Sequence, residues 1–599
     1  MKYLQLVLVC IVFSVTTCYE LEESQDLKDL VFKNRDIIKK RVSPRTKDVD
    51  EVSKEILNNN LAFSNKWDPY PYGEKIEWNI DPYKSTSWTL YLQSLKMVGY
   101  LSAQYENTTD IIYIQKAVEI VREWHNNYRK DYELLVYPFH NRSVWDDHAV
   151  ANRALNISHL ISVSEEHLSD EDLKLLFEIL RFHGHWLSAD SNYTRGNHAI
   201  MINRALMQLS LTINFKESSD WFKKSNKRME IQFKNDVTSE GVSIENSAFY
   251  HRYVLELLLD LKKTYEKMNM EVPTWVLNIE TGMKKFLVYL LKSNGHYPLF
   301  GDTYYQNNKM DHFKRYKDSI FTLDRIEQLP KSAVYPKSGY AIFRNSWDSN
   351  SSYIAFTNTS LSTVHKHNDN LSFTYFKNGE DLIVDAGHIG YEDKKLRKYF
   401  LSTISHSTIT ADGLNIENGR FKEDEVAIDN YDIFADYAYI SGSVDYSHKN
   451  IFLDRTMLII GDSIIYLHDR ISHKKIFGNY KYANQIFNLG RNSNRPEKIK
   501  DTNFTVLKTE FEKNDLSFYQ LDFGDGRIEI FESDSTQMRG CNSDGYNILF
   551  YGKQLEFSKP FHNKATEFHT IISTCKKDLT WEQMLDYKKM YEKKYLQNR

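Results

Sequence analysis

Hydrophobic residues recur at spacings of three and four from about residue 67 to about residue 330, which is the period of amphipathic α-helices. Examples are SWTLYLQSLKMVGYLSAQY, DLKLLFEILRFHGHWLSA and YHRYVLELLLDLKKTYEKM. Only short polar breaks separate these segments, which indicates stacked helical hairpins in a solenoid or a closed α/α toroid. The lack of a repeat of fixed period disfavours a regular solenoid. We therefore predict an α/α toroid over residues 19–330.

The pattern changes to an alternation of apolar and polar residues after about residue 335. Examples are SGYAIFRN, NLSFTYFKNGEDLIVDAG and RTMLIIGDSIIYLHDRIS. Asn378-Gly379 between two such runs is a strong signal for a tight β-hairpin. Many short strands joined by turns predict an antiparallel β-sandwich over residues 331–599, with a final helix in WEQMLDYKKMYEKKYLQ. The predicted fold class is α+β and multidomain, an N-terminal α/α toroid followed by a C-terminal antiparallel β-sandwich.

The N-terminus has the features of a secretory signal peptide. Lys2 supplies a positive charge, an apolar run follows from Tyr3 to Val15, and small residues lead to Cys18. The run is too short to span a bilayer, and no later segment has the length of a spanning helix, so we predict no transmembrane segment in the mature chain. We expect residues 1–18 to be removed and the protein to be secreted or periplasmic. A buried N-terminal helix and a lipid anchor at Cys18 are the alternatives.

Charge and cysteine content narrow the classes of partner. Lys and Arg number 77 and Asp and Glu number 81, a net charge of −4, which excludes the overall basic field of a nucleic-acid-binding protein. Of the four cysteines, only Cys541 and Cys575 lie clear of the signal region. These two could form one disulfide in an oxidising compartment, but they cannot build a thiolate zinc site.

Three groups of residues carry the chemistry that the sequence offers. The first is RGNH at 195–198, where Asn and His either cap a predicted helix or point into a cleft. The second is ENSAFYHRY at 245–253, at the start of an apolar helix in which a tyrosine is also an ordinary helix residue. The third is the densest and comprises HKHNDN at 365–370, VDAGH at 384–388 and SHST at 405–408.

Residues of metal-ligand type are concentrated in the third group. His365 and His367 are two residues apart, so in an extended chain their side chains lie on the same side. The predicted hairpin can return Asp385 to a position beside His367, and His406 precedes another predicted strand. Two imidazoles and a carboxylate suit zinc or a similar borderline ion. The alternative is a hydrogen-bonded polar cluster between domains.

Together these groups resemble the heparinase II/III-like polysaccharide lyases, a family that also includes oligoalginate lyases. The resemblance covers most of the mature chain. It rests on Asn197-His198, on GVSIENSAFYH at 241–251 and above all on the block from HKHNDN to STITADG at 365–413. It implies a toroid followed by a β-sandwich, and β-elimination at a uronic acid. In that reaction the C5 proton is removed, the C4–O bond breaks and a 4,5-unsaturated uronate forms.

The resemblance also implies roles for individual residues. Asn197 and His198 would bind the uronate carboxylate, and Tyr250 would donate a proton to the leaving oxygen and is a candidate for the base. His365 would share the acid and base work, and Tyr391 lies where some relatives carry a second active-site tyrosine. The predicted substrate-binding set is Asn197, His198, Glu245 and His251.

The metal positions of the family are matched by His367, Asp385 and His406. The resemblance therefore implies a divalent ion, with zinc as the preferred candidate, and a structural role rather than a directly catalytic one. Lys366 stands where the family often has a small residue, and it either adds positive charge for an anionic substrate or points to solvent. The basic run KKLRK at 394–398 either adds charge near the site or forms a solvated loop.

The predicted function is a secreted polysaccharide lyase for a uronic-acid-containing glycan such as heparan sulfate. Alginate, oligoalginate and bacterial exopolysaccharides are alternative substrates. A glycoside hydrolase would need two carboxylates flanking the scissile bond, for which Glu245 and Asp146 or Asp147 are candidates. A non-catalytic protein that binds acidic glycans is the third class, but a binder would not need Asn197, His198, Tyr250 and His365 together.

Overall fold

A computed structural model describes residues 30–133, 143–304, 329–348, 350–417, 421, 425–473, 480–500 and 504–597. The predicted signal peptide over residues 1–18, with Cys18, lies outside the described residues. The chain divides into two compact units. The first consists of the residues up to 235 together with 260–273, and the second consists of 236–259 and the residues from 274 onward.

The first unit is helical, as the spacing of its apolar residues predicts. Its helices are Val49–Leu57, Thr86–Gln93, Lys96–Thr108, Ile112–Glu133, Asp147–Ser164, Asp170–Ser188, Asn197–Thr212 and Ser218–Asp236, the last of which ends one residue past the division. The helix Asp147–Ser164 is central and contacts Lys96–Thr108, Asp170–Ser188 and Asn197–Thr212. The apolar faces of these helices form one core, in which Trp88 is fully buried.

The start of this central helix is fixed by a capping side chain. Asp146 accepts hydrogen bonds from the backbone N–H groups of His148 at 3.0 Å and Ala149 at 3.3 Å. A carboxylate in this position satisfies helix N–H groups that have no partner within the helix. The cap therefore sets the positions of Asp147 and His148 in the first turn.

The second unit contains two large antiparallel sheets. One has eight strands, in spatial order Glu497–Lys500, Phe504–Glu510, Asp515–Leu521, Ala565–Ser573, Ile464–His473, Ile451–Ile460, Tyr437–Tyr446 and Val426–Ile433. The other has nine, in spatial order Arg527–Glu532, Lys553–Pro560, Tyr482–Leu489, Glu380–Val384, Ser372–Lys377, Tyr353–Thr357, Tyr340–Arg344 and Ala333–Tyr335, with Ile409–Ala411 also paired to Tyr482–Leu489. Their apolar faces share one core, in which the rings of Phe487 and Phe518 are 4.9 Å apart.

Local features of this unit follow the sequence pattern closely. Asn378 has a φ of 50° and Gly379 a φ of 86°, as a two-residue hairpin turn of the favoured type requires. The C-terminal helix Trp581–Gln597 forms as expected and packs through Met584 and Tyr591 on an apolar cluster of the eight-stranded sheet. Among the described residues, no helix combines the length and the apolar character needed to span a membrane. The described elements thus follow the predicted order of helices and then antiparallel strands.

The disulfide that the sequence allowed is not formed. Cys541 and Cys575 are both free thiols. Cys541 is fully buried in a small apolar cluster with Phe400, whereas Cys575 is partly exposed and packs in the cluster of Met584. The two thiols belong to different clusters, so the bridge that the sequence left open as a possibility is not realised.

Candidate active site

Tyr250 lies in the first turn of the helix Ala248–Lys267. Its ring stacks on the imidazole of His365, with ring centroids 3.4 Å apart and planes inclined by 8°. The loop before the helix is held by Asn246, whose side-chain amide donates to the carbonyl of Val364 at 3.0 Å. This bond ties the start of the helix to the segment that carries His365.

His365 lies between two carboxylates. Its Nδ1 is 2.9 Å from Oδ2 of Asp302, and its Nε2 is 3.2 Å from Oε2 of Glu245. Burial acts to lower the pKa of His365, but the hydrogen bonds to Asp302 and Glu245 outweigh it and raise the pKa above its ordinary value. The two carboxylates therefore orient the imidazole and make it more basic.

Asp302 is the central carboxylate of this cluster, and sequence analysis did not single it out. It is fully buried, and it accepts hydrogen bonds from the Tyr391 hydroxyl at 2.8 Å and from two Nη atoms of Arg397 at 3.1 Å each. Its Oδ1 is also 3.0 Å from Nε2 of His367 and 2.8 Å from Nδ1 of His388. Burial acts to raise the pKa of Asp302, but hydrogen bonds to three histidines hold that pKa well below its usual range.

Tyr391 connects Tyr250 to Asp302. Its hydroxyl is 3.2 Å from that of Tyr250, and the Arg397 guanidinium lies over its ring at 4.4 Å from the centroid. Burial raises the pKa of Tyr250, and burial together with the charge of Asp302 raises the pKa of Tyr391. Both phenols are therefore protonated at neutral pH.

The three predicted metal ligands come together in the second unit. The rings of His367 and His406 are 5.5 Å apart, and Nδ1 of His406 is 2.9 Å from Oδ2 of Asp385. One ligand atom from each residue lies within 4.8 Å of the others, and all three residues are buried. Nε2 of His406 is buried and has no hydrogen-bond partner among the described residues. An imidazole nitrogen in that state, beside a carboxylate and a second imidazole, fits a divalent ion.

His198 belongs to the first unit and pairs there with a carboxylate. The helix Asn197–Thr212 begins one residue before it, and its Nδ1 is 2.8 Å from Oδ1 of Asp147. The hydroxyl of Thr194 donates to the other oxygen of Asp147 at 2.9 Å. The His198 ring also stacks on His148 at a centroid distance of 3.9 Å. With 49% of its side chain exposed, His198 is held in orientation yet accessible to a ligand.

Comparison with known proteins decides the family. Residues 21–327 match the model described as "Heparinase II/III N-terminus", and residues 327–474 match "Heparinase II/III-like, C-terminal". The chain belongs to the heparinase II/III family. The family predicted from the sequence motifs is thereby confirmed, and so is the predicted enzyme class, a carbon–oxygen lyase acting on polysaccharides.

Relatives of this chain support its assignment to the heparinase II/III family. A "Heparin-sulfate lyase" of Pedobacter heparinus is 21% identical over 558 residues, which are 88% of this chain and 80% of the relative. One from Bacteroides stercoris is 23% identical over 407 residues, 62% of this chain and 61% of the relative. The crystal structure of heparan sulfate lyase HepC from Pedobacter heparinus gives a TM-score of 0.68 at 20% identity, covering 91% of this chain and 86% of that one. These likenesses confirm the predicted fold class of a toroid with a β-sandwich.

His251 is too deeply buried to make the substrate contact that was predicted for it. It is 1% exposed, its Nδ1 accepts from the backbone N–H of Ser243 at 3.1 Å, and its Nε2 faces the carbonyl of Met283 at 3.0 Å. Burial lowers the pKa of His251 to about 4, so the ring is neutral. Both ring nitrogens have partners within the core, so His251 has a packing role in place of the predicted substrate contact. Glu245, also assigned to substrate, contacts His365, and its substrate contact stays a prediction.

Lys366 and the basic run 394–398 can each be compared with the alternatives that the sequence offered. Lys366 is buried, and its ammonium donates to the carbonyl of His367 at 2.8 Å and pairs with Asp369. It neither points to solvent nor offers a charge to substrate, so both predictions are corrected. In the run 394–398, Arg397 faces the site, whereas the three lysines are exposed.

The carboxylates considered for a hydrolase have other partners. Asp146 caps a helix, Asp147 holds His198, and Glu245 contacts His365. A hydrolase needs one carboxyl group as the acid and another as base or nucleophile. Each of the three carboxylates therefore holds a helix end or an imidazole, and these contacts do not pair any two of them as the acid and the base of a hydrolase.

Proposed function

We propose that the enzyme cleaves a uronic-acid-containing glycosaminoglycan of the heparan sulfate class by β-elimination. The observation that carries the proposal is the stacking of Tyr250 on His365, which brings a neutral phenol and a carboxylate-backed imidazole to one place. The names of two curated relatives, both heparin-sulfate lyases, support the substrate class. Alginate, oligoalginate and bacterial exopolysaccharides present the same uronate chemistry and are the alternatives.

The proposed reaction needs a base at C5 and an acid at O4. His365 suits the base, because Asp302 fixes its Nδ1 and raises its basicity, while Nε2 has the longer contact at 3.2 Å to Glu245. Tyr250 suits the acid, because its raised pKa keeps the hydroxyl protonated. In this assignment Nε2 of the neutral His365 imidazole, whose Nδ1–H is held by Asp302, takes the C5 proton, the C4–O bond breaks, and Tyr250 gives its proton to O4.

The charges that this assignment creates are opposite and adjacent. His365 becomes an imidazolium and Tyr250 a phenolate, on rings whose centroids are 3.4 Å apart. Opposite charges at this separation in a partly buried site stabilise each other. Asp302 adds a fixed negative charge behind the imidazolium, as a carboxylate does in other acid–base pairs. The stacking thus favours the state reached as the C5 proton leaves.

The uronate carboxylate must be neutralised for C5 to lose its proton. We propose that Asn197 and His198 bind this carboxylate, as the family resemblance implies. The pairing of His198 with Asp147 at 2.8 Å supports the proposal, because it fixes the orientation of a ring that is 49% exposed. A protonated imidazole both donates a hydrogen bond and supplies positive charge.

We propose zinc as the ion that His367, Asp385 and His406 would hold. Two imidazoles and a carboxylate are a usual donor set for zinc. When bound, the ion would supply positive charge that braces the loop around His367. Because His367 is two residues from His365, this bracing would position the base rather than take part in the reaction.

The proposed location is outside the cytoplasm. The charged start, the apolar run and the small residues before Cys18 support removal of residues 1–18 and a secreted or periplasmic enzyme. A lipid anchor at Cys18 is the alternative. The mass of the N-terminal peptide of the mature enzyme distinguishes cleavage, lipidation and an intact N-terminus.

Ultraviolet absorbance tests the reaction and its substrate together. The purified enzyme would be incubated with heparan sulfate, heparin, hyaluronan, chondroitin, alginate and glucuronan. We expect absorbance to rise with heparan sulfate, because elimination forms a conjugated 4,5-unsaturated uronate. A rise with alginate alone would replace the substrate class but keep the chemistry. New reducing ends without absorbance would show hydrolysis and overturn the proposal.

A further inference from the structure

Two histidines and a glutamate meet on one face of the eight-stranded sheet, in a group that the lyase reaction does not use. The strands Ile464–His473 and Ala565–Ser573 are antiparallel neighbours, and His468 lies directly opposite His569 in their register. Glu567 precedes His569 by two residues, so it points to the same face. The sheet therefore presents three side chains of metal-ligand type from a rigid pair of strands.

The distances within this group suit a bound ion. Nε2 of His468 is 3.4 Å from Oε2 of Glu567, and Nε2 of His569 is 3.9 Å from the same oxygen. One ligand atom from each residue lies within 4.8 Å of the others. Tetrahedral bonds of about 2.0–2.1 Å place ligand atoms roughly 3.3 Å apart. The rings of His468 and His569 are stacked, with centroids 4.6 Å apart and planes inclined by 8°, so ion binding would turn their Nε2 atoms toward a common point beside Glu567.

Two tyrosines orient the imidazoles. The Tyr591 hydroxyl is 2.5 Å from Nδ1 of His468, and the Tyr466 hydroxyl is 2.8 Å from Nδ1 of His569. In each ring the Nδ1 atom thus has a hydroxyl neighbour, and the Nε2 atom faces Glu567. Histidines that bind metals usually have the second nitrogen held by a hydrogen bond in this way, which fixes the tautomer and the ring orientation.

Charge and exposure agree with a site that an ion can enter. Glu567 is exposed and His569 is partly exposed, which leaves a path from solvent. Nε of Arg470 lies 3.4 Å from Oε1 of Glu567. Arg470 therefore partly neutralises the carboxylate but leaves Oε2 to face the two histidines.

We propose that His468, Glu567 and His569 form a second metal site, specific for a divalent transition ion such as zinc. Two imidazole donors with one carboxylate favour zinc and its neighbours over calcium or magnesium, which prefer oxygen ligands. The simpler alternative is a stacked histidine pair with a surface ion pair. An ion here would join two central strands and, through Tyr591, the C-terminal helix.

Zinc stoichiometry tests this site separately from that of His406. The full chain would be stripped with a chelator, equilibrated with Zn²⁺ and analysed for bound metal by mass spectrometry. We expect two equivalents in the wild type and one in His569→Ala, with His406→Ala losing the other. His562→Ala is the matched control, because this exposed histidine pairs only with the exposed Asp525 among the described residues and should leave both equivalents in place.

Retention of both equivalents by His569→Ala would overturn the proposal. So would a wild type that binds a single equivalent which His406→Ala removes and His569→Ala keeps. Circular dichroism would check that each variant folds. Should His569→Ala fail to fold, anomalous diffraction from zinc-soaked crystals of the wild type decides the matter. A zinc peak within bonding distance of His468, Glu567 and His569 supports the site, and its absence at full occupancy of the other site contradicts it.

Discussion

Nδ1 of His365 and Oδ2 of Asp302 are 2.9 Å apart, and the other oxygen of Asp302 is 3.0 Å from Nε2 of His367. One buried carboxylate therefore joins the proposed base to a predicted metal ligand. An ionised carboxylate only accepts hydrogen bonds, so it can hold several donors at once. An amide in its place would turn two donor hydrogens toward groups that are themselves donors.

We expect Asp302→Asn to lower kcat about 100-fold with little change in KM, because His365 loses the charge that makes it basic. The free energy of unfolding should fall by about 3 kcal/mol, because Arg397 would lose its buried counter-ion. Steady-state kinetics and urea denaturation measure the two effects. The control is Asp525→Asn, which removes an exposed carboxylate paired with His562. A kcat equal to that of the wild type would show that Asp302 does not position the base.

Tyr250→Phe removes the proposed acid but keeps the ring that stacks on His365. We expect kcat to fall by about 10²–10⁴-fold with substrate binding nearly unchanged, because only proton donation is lost. The appearance of unsaturated uronate measures the rate, and binding is measured by calorimetry. Tyr431→Phe, at an exposed edge-strand position, is the control. A variant that keeps a third or more of the wild-type rate would exclude Tyr250 as the acid.

The fold was predictable because it is encoded in local patterns. The three-and-four spacing around Trp88 forms helices, and the alternation around Phe373 forms strands. Asn378 and Gly379 adopt the positive φ angles that their turn requires. In each case the pattern lies within a few residues of the element, so it does not depend on tertiary contacts.

The centre of the site was not predictable in the same way. Asp302 lies after the helical region, in a segment that has no periodic pattern of its own. Its partners are 63 to 95 residues further along the chain. Gly301 has a positive φ, and a Cβ atom there would collide with the carbonyl of His365, so the two segments cross at close range. Arg397 stands in the sequence as one charge of a basic run. Such pairings arise from tertiary packing, and the local sequence pattern gives no signal for them.

Asp147→Asn tests the proposed recognition of the uronate carboxylate. The amide would weaken the hydrogen bond that fixes His198, so we expect KM to rise about 10-fold with a smaller change in kcat. The neighbouring Asp146→Asn is the matched control. Asn is also a good helix cap, so the control should keep both its stability and its KM. Equal KM values for the two variants would count against His198 as a carboxylate ligand.

His406→Ala should remove the ion proposed for the first metal site. We expect a loss of one zinc equivalent and a fall in the free energy of unfolding of about 1–3 kcal/mol, because buried Asp385 also loses a hydrogen-bond partner. kcat should fall less than in Tyr250→Phe, since the ion positions a loop. Metal analysis, denaturation and kinetics on one preparation measure all three. A loss of activity as complete as that of Tyr250→Phe would indicate a direct role for the ion.

The two free thiols differ in accessibility, and alkylation measures the difference. Cys541 is fully buried and burial raises its pKa, whereas Cys575 is partly exposed. Because the thiolate is the reactive form, we expect iodoacetamide to label Cys575 in the native protein and Cys541 only after unfolding. Peptide mass spectrometry without reductant identifies both labelled sites. A cross-linked peptide pair that contains Cys541 and Cys575 would show that the bridge does form, and it would require the two apolar clusters to rearrange.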